Sequence, residues 1–242
     1  MKSKTSKPKE FAKDPKDTVV LSLGGSLIAP GGSSGIDTDF VSLLSSLILK
    51  NSKHQHFILI CGGGKTARDY QNAANKIGKI KGEDLDWIGI QSTRLNAHLL
   101  KSIFGSNSHP EIIFDPRTRV QLKKKILVAA GWKPGFSTDY DSVVLAKTHK
   151  TRTIINLTNV DYVYTKDPRK FKDAKPIKHI SWNEFRNLIG SKWTPGLNAP
   201  FDPIASKLAQ KLKLRVIIAN GKNLGNLEKI LEGKDFIGTV IE

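Results

Sequence analysis

Short apolar runs of four to six residues alternate along the chain with longer stretches in which apolar positions recur every three or four residues. Thr18-Val19-Val20-Leu21-Ser22-Leu23 is β-branched and apolar and stops at Gly24-Gly25-Ser26, which predicts a buried strand. A loop over 30–35 follows. Asp37 or Asp39 can cap a helix whose apolar stripe is Phe40, Leu43, Leu44, Leu47 and Ile48. Phe57 to Cys61 reads as a second strand, ended by Gly62-Gly63-Gly64. Helices are expected from about Thr66 to Ile77 and, past the polar link Gly78–Glu83, from about Asp84 to Phe104. Ile126–Ala129 reads as a strand, Gly131–Gly135 as a loop and Asp139–His149 as a helix.

The second half repeats the alternation. Thr153–Leu157 is a strand, Thr158–Pro168 a polar loop with a short Tyr162-Val163-Tyr164 stretch, and 181–190 a helix. Asp202-Pro203 opens another helix, with proline at the first helical position. Arg215–Ala219, Leu224–Leu231 and Phe236–Ile241 read as strand, helix and last strand. This alternation predicts an α/β fold: an open, largely parallel sheet covered on both faces. Ligands then bind beyond the carboxyl ends of the strands, where the glycine-bearing turns 24–26, 62–64 and 131–135 fall.

Composition narrows the classes. The 242 residues hold one cysteine, which excludes a disulfide framework and a cysteine-cluster zinc site. No apolar run reaches the ~18 residues of a membrane span, and the N-terminus lacks the apolar core of a signal peptide, so the cytoplasm is expected. The net charge of +17 calls for an anionic partner. Residues 1–17 carry six lysines against Glu10, Asp14 and Asp17 and read as a disordered tail. The rest of the excess is spread along the chain without a nucleic-acid recognition motif, so phosphorylated small molecules are the expected partners and nucleic acid is not.

Gly62-Gly63-Gly64 lies between a strand and a helix N-terminus, where bare amides and the helix dipole favour an anion. Arg68, one turn later, can add a bidentate fork to a phosphate; otherwise it is a surface arginine on a sharp turn. A Walker A loop is excluded because Leu59 stands where its first glycine is needed. The dinucleotide pattern fits better, as Gly62-x-Gly64-x-x-Ala67 with Asp84 and Asp86 downstream, although that acidic residue should end a strand. Gly24-Gly25-Ser26 is a second donor-rich turn. Two such turns on one sheet edge suit a phosphoryl group passing between two nucleotides.

In order along the chain stand LSLGGS (21–26), CGGGKTARDY (61–70), DLDWIGIQSTRLNAHLL (84–100), GWKPGFSTD (131–139), TNVDYVYTKDP (158–168), DPIASK (202–207) and IIANG (217–221). With these seven motifs the chain resembles the amino-acid kinase superfamily, and within it the archaeal-type uridylate (UMP) kinases. The resemblance covers residues 18–242. It implies a three-layer α/β/α sandwich, an acceptor-nucleotide half (18–150), an ATP half (151–242), transfer from ATP to UMP with Mg²⁺, and a homo-oligomer, typically a hexamer.

It further implies that Gly63, Asp86 and the loop Trp132, Lys133, Pro134, Gly135, Phe136, Ser137 and Thr138 bind UMP. Gly64 and Arg68 would hold phosphates, Gly25 and Ser26 the transferred group, and Thr158, Asn159, Tyr164 and Asp167 the ATP. Asp139 matches a family aspartate that orients donors or helps hold magnesium; alternatively it caps a helix. No metal ligand is assigned.

The chain departs from the pattern at five residues. Ser22 stands where many superfamily members have a lysine, as in other archaeal-type UMP kinases, and Lys65, Lys133 and Lys207 are substitutes to test. Tyr162 replaces a glycine. Phe136 and Tyr140 are unusual beside the acceptor loop, and Asp141 adds a carboxylate there. These keep two alternatives open: another phosphorylated acceptor such as isopentenyl phosphate, whose kinases use a histidine absent beside Gly62–Gly64, or a relative that binds nucleotide or anion without catalysis.

Overall fold

The computed structural model describes residues 18–31, 35–168, 170–190 and 200–242; the basic tail and loop positions 32–34 lie outside them. The strands are β1 (Thr18–Leu23), β2 (His56–Cys61), β3 (Ile126–Ala129), β4 (Thr153–Thr158), β5 (Val163–Tyr164), β6 (Pro176–Ile177), β7 (His179–Ile180), β8 (Arg215–Asn220) and β9 (Thr239–Ile241). The helices are α1 (Gly25–Ile28), α2 (Thr38–Asn51), α3 (Gly64–Ile77), α4 (Gly82–Phe104), α5 (Thr138–His149), α6 (Trp182–Ile189), α7 (Pro203–Lys211) and α8 (Leu224–Leu231).

Seven strands form the central sheet in the order β3-β2-β1-β4-β8-β9-β7, and β5 pairs with β6 in a separate antiparallel ribbon. β3, β2, β1, β4 and β8 are mutually parallel. The period of two along each strand becomes a pair of rows across the sheet. Val128, Leu59, Leu21, Ile155, Ile217 and Val240 stand in register and bury toward α2, α4 and α8. One residue earlier on each parallel strand, Leu127, Ile58, Val20, Ile154, Val216 and Ile241 bury toward α5, α6 and α7. Both faces are therefore dry, which makes these strands continuous apolar runs rather than alternating ones. The result is a three-layer α/β/α sandwich.

Local signals act where the sequence places them. Asp37, not Asp39, caps α2 by accepting from Phe40 N at 3.0 Å. Asp202 caps α7 by accepting from Ala205 N at 2.7 Å, with Pro203 following. Two expectations are corrected. Leu43 is 63% exposed, so the buried stripe of α2 is Phe40, Val41, Leu44 and Ile48. The last strand spans only Thr239–Ile241, because the backbone of Ile237 is tied to the Asn226 side chain by bonds of 2.8 and 2.7 Å. That strand also runs antiparallel to β8. Ser181 and Glu184 form a capping box that starts α6.

Candidate functional site

The carboxyl ends of β1 and β2 carry the two glycine turns, and the turns are packed backbone against backbone. A Cβ on Gly25 would stand 2.0 Å from Gly64 N and 2.5 Å from Gly62 C. A Cβ on Gly64, whose φ is +68°, would stand 2.3 Å from Gly25 O. Gly62 N donates to Leu23 O at 2.9 Å, Lys65 N to Ala29 O at 2.9 Å, and Gly24 N to Leu157 O at 2.9 Å. Here glycine is required by the mutual approach of two turns, before any ligand is considered. From that joint two side chains extend to one point: Arg68 Nη2 donates to Ser26 Oγ at 3.2 Å, and Arg68 is exposed. Lys65 turns aside into an ion pair with Asp69 at 2.6 Å.

On one side of the joint opens a cleft of about 190 Å³, lined by Gly63, Ala67, Asp86, Thr93, Phe136 and Thr138 among others. Its wall is the segment 131–137, fastened at several atoms. Gly131 N donates to Thr93 Oγ1 at 2.8 Å, and Trp132 N to Asp141 Oδ2 at 3.0 Å. Gly135 N donates to Asp86 Oδ2 at 2.9 Å, and Trp132 O accepts from Arg94 Nη2 at 3.1 Å. The rings of Trp132, Phe136 and Tyr140 follow one another at centroid distances of 5.1 and 4.7 Å. Lys133 Nζ lies 4.3 Å and the Arg117 guanidinium 4.5 Å from the Trp132 ring, arrangements that favour cation–π attraction. Pro134 and Gly135 turn the segment, and Ser137 caps α5 by accepting from Tyr140 N at 3.2 Å.

The second cleft, about 590 Å³, lies beyond β4 and is lined by Thr158, Asn159, Tyr162, Tyr164, Asp167 and neighbours. Asp161 accepts from Asn220 Nδ2 at 3.0 Å, which ties this loop to the end of β8. Tyr162 meets Tyr164 edge-on at 6.2 Å between centroids.

Of the residues singled out from sequence, Gly63, Asp86, Phe136 and Thr138 line the smaller cleft, and Thr158, Asn159, Tyr164 and Asp167 the larger. Gly25, Ser26, Gly64 and Arg68 stand at the joint. Trp132, Lys133, Pro134, Gly135 and Ser137 shape the loop from outside the cavity. Ser22 is buried in β1 beside Asn156 of β4, and Lys207 is exposed on α7. The dinucleotide alternative fails because Asp84 and Asp86 lie in the first turns of α4 rather than at a strand end. Sequence reasoning missed Thr93, Arg94 and Asn96, which reach the cleft loop and the glycine turn from one helix. Asn96 Nδ2 donates to Gly62 O at 2.7 Å and is buried. All three stand in the quoted stretch 84–100, and the available signal was polar residues at helical spacing inside an otherwise apolar face.

Two carboxyls of α5 are displaced from their ordinary range. Burial pushes Asp141 and Asp139 each up to about 7. Asp139 is not a cap: its Oδ2 accepts from Asp202 N at 2.9 Å and joins α5 to α7. Asp141 Oδ1 is buried without a hydrogen-bond partner. The folded protein thus keeps a proton on Asp141 up to about pH 7, whereas an unfolded chain releases it near 3.8. Its contribution to stability is complete below 3.8 and is lost as the pH rises toward 7. Asp141→Asn should therefore lose less stability than the parent between pH 5 and pH 8, by about 1–3 kcal/mol in denaturant titrations. Parallel pH profiles would contradict this assignment.

Among the described residues no group of three His, Cys, Asp or Glu comes together to hold a metal, and Asp139 and Asp141 are engaged by different backbone amides. Cys61 is buried and its thiol is pushed up to about 12, so it is no nucleophile. Among the described residues no helix is long and apolar enough to cross a membrane.

A model of the amino acid kinase family matches residues 17–220. The chain is 36% identical to the uridylate kinase of Thermoplasma volcanium, over 93% of this chain and 98% of that protein. It is 34% identical to the uridylate kinase of Pyrococcus abyssi, over 93% and 99%. Among solved structures, the uridylate kinase of Archaeoglobus fulgidus superposes with a TM-score of 0.77 at 30% identity, covering 93% of this chain and 99% of that one. The UMP kinase of Ureaplasma parvum, at 20% identity and a TM-score of 0.77, shares the fold.

Proposed function

The chain belongs to the amino acid kinase family, and from that premise we propose that it is a UMP kinase that transfers the terminal phosphoryl group of ATP to UMP. The observation that carries the reading is the convergence of Ser26 and Arg68 on the joint between two clefts, one beyond β4 and one against the 131–137 loop. The near full-length similarity to uridylate kinases supplies the acceptor. In-line transfer needs both nucleotides held end to end and the equatorial charge neutralised; it needs no covalent enzyme intermediate.

The larger cleft takes ATP through Thr158, Asn159, Tyr164 and Asp167. The smaller takes UMP, with Thr138 and the 131–137 loop against base and phosphate and Asp86 toward the ribose. Gly25, Ser26, Gly64 and Arg68 attend the migrating group, the turns through their amides and Arg68 through its guanidinium. Asp139 acts from its bond to Asp202 N, setting α5 against α7. The acceptor half is 18–150 and the ATP half 151–242.

Magnesium arrives with the nucleotide. The ion keeps several waters and binds through phosphates with few protein carboxylates. A homo-oligomer is proposed because Tyr70 and Ile77 on α3 and Trp87 and Leu95 on α4 are exposed.

A coupled assay with ATP, Mg²⁺ and UMP, CMP, AMP, GMP or isopentenyl phosphate tests the reading. UMP should be the preferred acceptor, and no turnover of UMP at micromolar enzyme would sink it. Turnover of isopentenyl phosphate alone would favour the other acceptor, and ATP binding without any turnover a non-catalytic relative. Asp86→Ala should raise the KM for UMP about 5–30-fold, the loss of a ribose contact and of the Gly135 tether, with the KM for ATP within a factor of about two. A change confined to ATP would contradict the placement of Asp86.

A further inference from the structure

The positive charge is concentrated by the fold. Five strands run parallel, so their amino ends share the sheet edge opposite the clefts. Four connections enter the sheet there, and residues 52–55, 118–125, 147–152 and 211–214 contain no Asp or Glu. Lys53 precedes β2, and Lys123, Lys124 and Lys125 precede β3. Lys147 and Lys150 precede β4, while Lys211 and Lys213 precede β8. All of these lysines are exposed, and none forms an ion pair among the described residues. The acids that reach this edge stand apart from these connections: Glu242 after β9, 3.9 Å from Arg215, Glu184 after β7, and Glu228 of α8, paired at 2.6 Å with Lys50 in the last turn of α2.

The ordinary explanation is that α2, α5 and α7 end here and that cations complement their dipoles. It covers Lys147 and Lys211. It does not cover Lys123–Lys125, which follow a long loop. Lys150 and Lys213 are the two non-glycine residues with positive φ among the described ones, at 58° and 52°. Both stand at helix ends where glycine is the favoured residue, so the lysine side chain is kept at a conformational cost. Five strands at ~4.8 Å spacing make an edge about 19 Å wide. A nucleic-acid duplex presents a charge every ~1.7 Å of axis, roughly eleven over that width. No exposed large apolar side chain lies in these connections, whereas a membrane-surface site ordinarily adds apolar anchors to its cations.

We propose that this edge binds the phosphodiester backbone of nucleic acid without regard to sequence, through Lys123–Lys125 on the β3 side and Lys150 and Lys213 on the β4–β8 side. The inference rests on charge and topology and not on the kinase reading. It departs from the sequence expectation because an even spread along the chain is gathered in space by parallel strands.

The test is fluorescence anisotropy of the full-length protein with labelled 30-nucleotide single-stranded RNA, the same DNA sequence and its duplex. Micromolar binding at 50 mM KCl is expected, to RNA, to DNA or to both; the arms identify the source. If four to six phosphates are contacted, it should weaken roughly 50–300-fold at 200 mM on the single strands and roughly 150–1,800-fold on the duplex. The variant K123E/K124E/K125E should bind at least tenfold more weakly while phosphotransfer is unchanged. K76E/K79E/K81E, with the same charge change in the last turn of α3 and the α3–α4 connection, should lose less than threefold. K150G/K213G, which suits the local backbone, should lose at least threefold and serves if the charge reversal does not fold. No binding at 50 mM, equal loss in both triple variants, or binding to phosphatidylserine vesicles instead of nucleic acid would each overturn the proposal.

Discussion

Gly25→Ala is expected to lower the unfolding midpoint by roughly 8–16 °C, about 4 kcal/mol for a chain of this size. The added Cβ meets only backbone: Gly64 N at 2.0 Å, Gly62 C at 2.5 Å and Gly62 O at 2.7 Å. A flexible neighbour could swing away, but two hydrogen-bonded turns can only separate. That separation breaks the close packing at the carboxyl ends of two central strands. Alanine returns about 1 kcal/mol through its better helix propensity in α1, too little to offset the clash. Phosphotransfer should fall with stability, since Ser26 and Arg68 are carried on the separating turns. Differential scanning calorimetry reads the outcome, and a midpoint within 3 °C of the parent would show that the turns tolerate a side chain.

Arg68→Ala makes the opposite demand: a large loss of rate with almost none of stability. The Arg68–Ser26 bond of 3.2 Å is exposed and adds little to folding. Against a phosphate, the guanidinium provides charge-assisted bonds of about 2–3 kcal/mol, so kcat/KM for the UMP reaction should drop roughly 30–150-fold. The melting temperature should stay within about 2 °C. Unchanged kinetics would remove Arg68 from the phosphate path. Equal losses of rate and stability would make it a structural residue of the joint.

The contrast shows what the sequence disclosed. Apolar runs, periodicity and turn glycines were legible because each is a local requirement: Val20 and Leu21 announce a strand buried on both faces whatever lies beside it. The glycine turns were legible as special, but only one of two reasons for them could be read. Bare amides suggested an anion, while the closest neighbours of Gly25 are Gly62 and Gly64, residues of the other turn. Thr93, Arg94 and Asn96 were hidden because their partners, Gly131, Trp132 and Gly62, are distant in sequence and no local pattern pairs them. Leu43 misled for the converse reason, since helical spacing marks a face and only the neighbouring layers decide how wide it is. The direction of β9 was equally unreadable, because three apolar residues pair either way.

That reversal at β9 has a consequence for engineering. Val20, Ile154, Val216 and Ile241 stand in one register row, so the first and last strands are three strand spacings apart, about 14 Å. Because β9 descends, Glu242 emerges at the edge where Thr18 enters, away from both clefts. A linker of about six residues could join residue 242 to residue 18, and a circular permutant opened at the α2–β2 turn would keep each strand in place. Tethered by that edge to a surface, the protein would present both clefts to solvent.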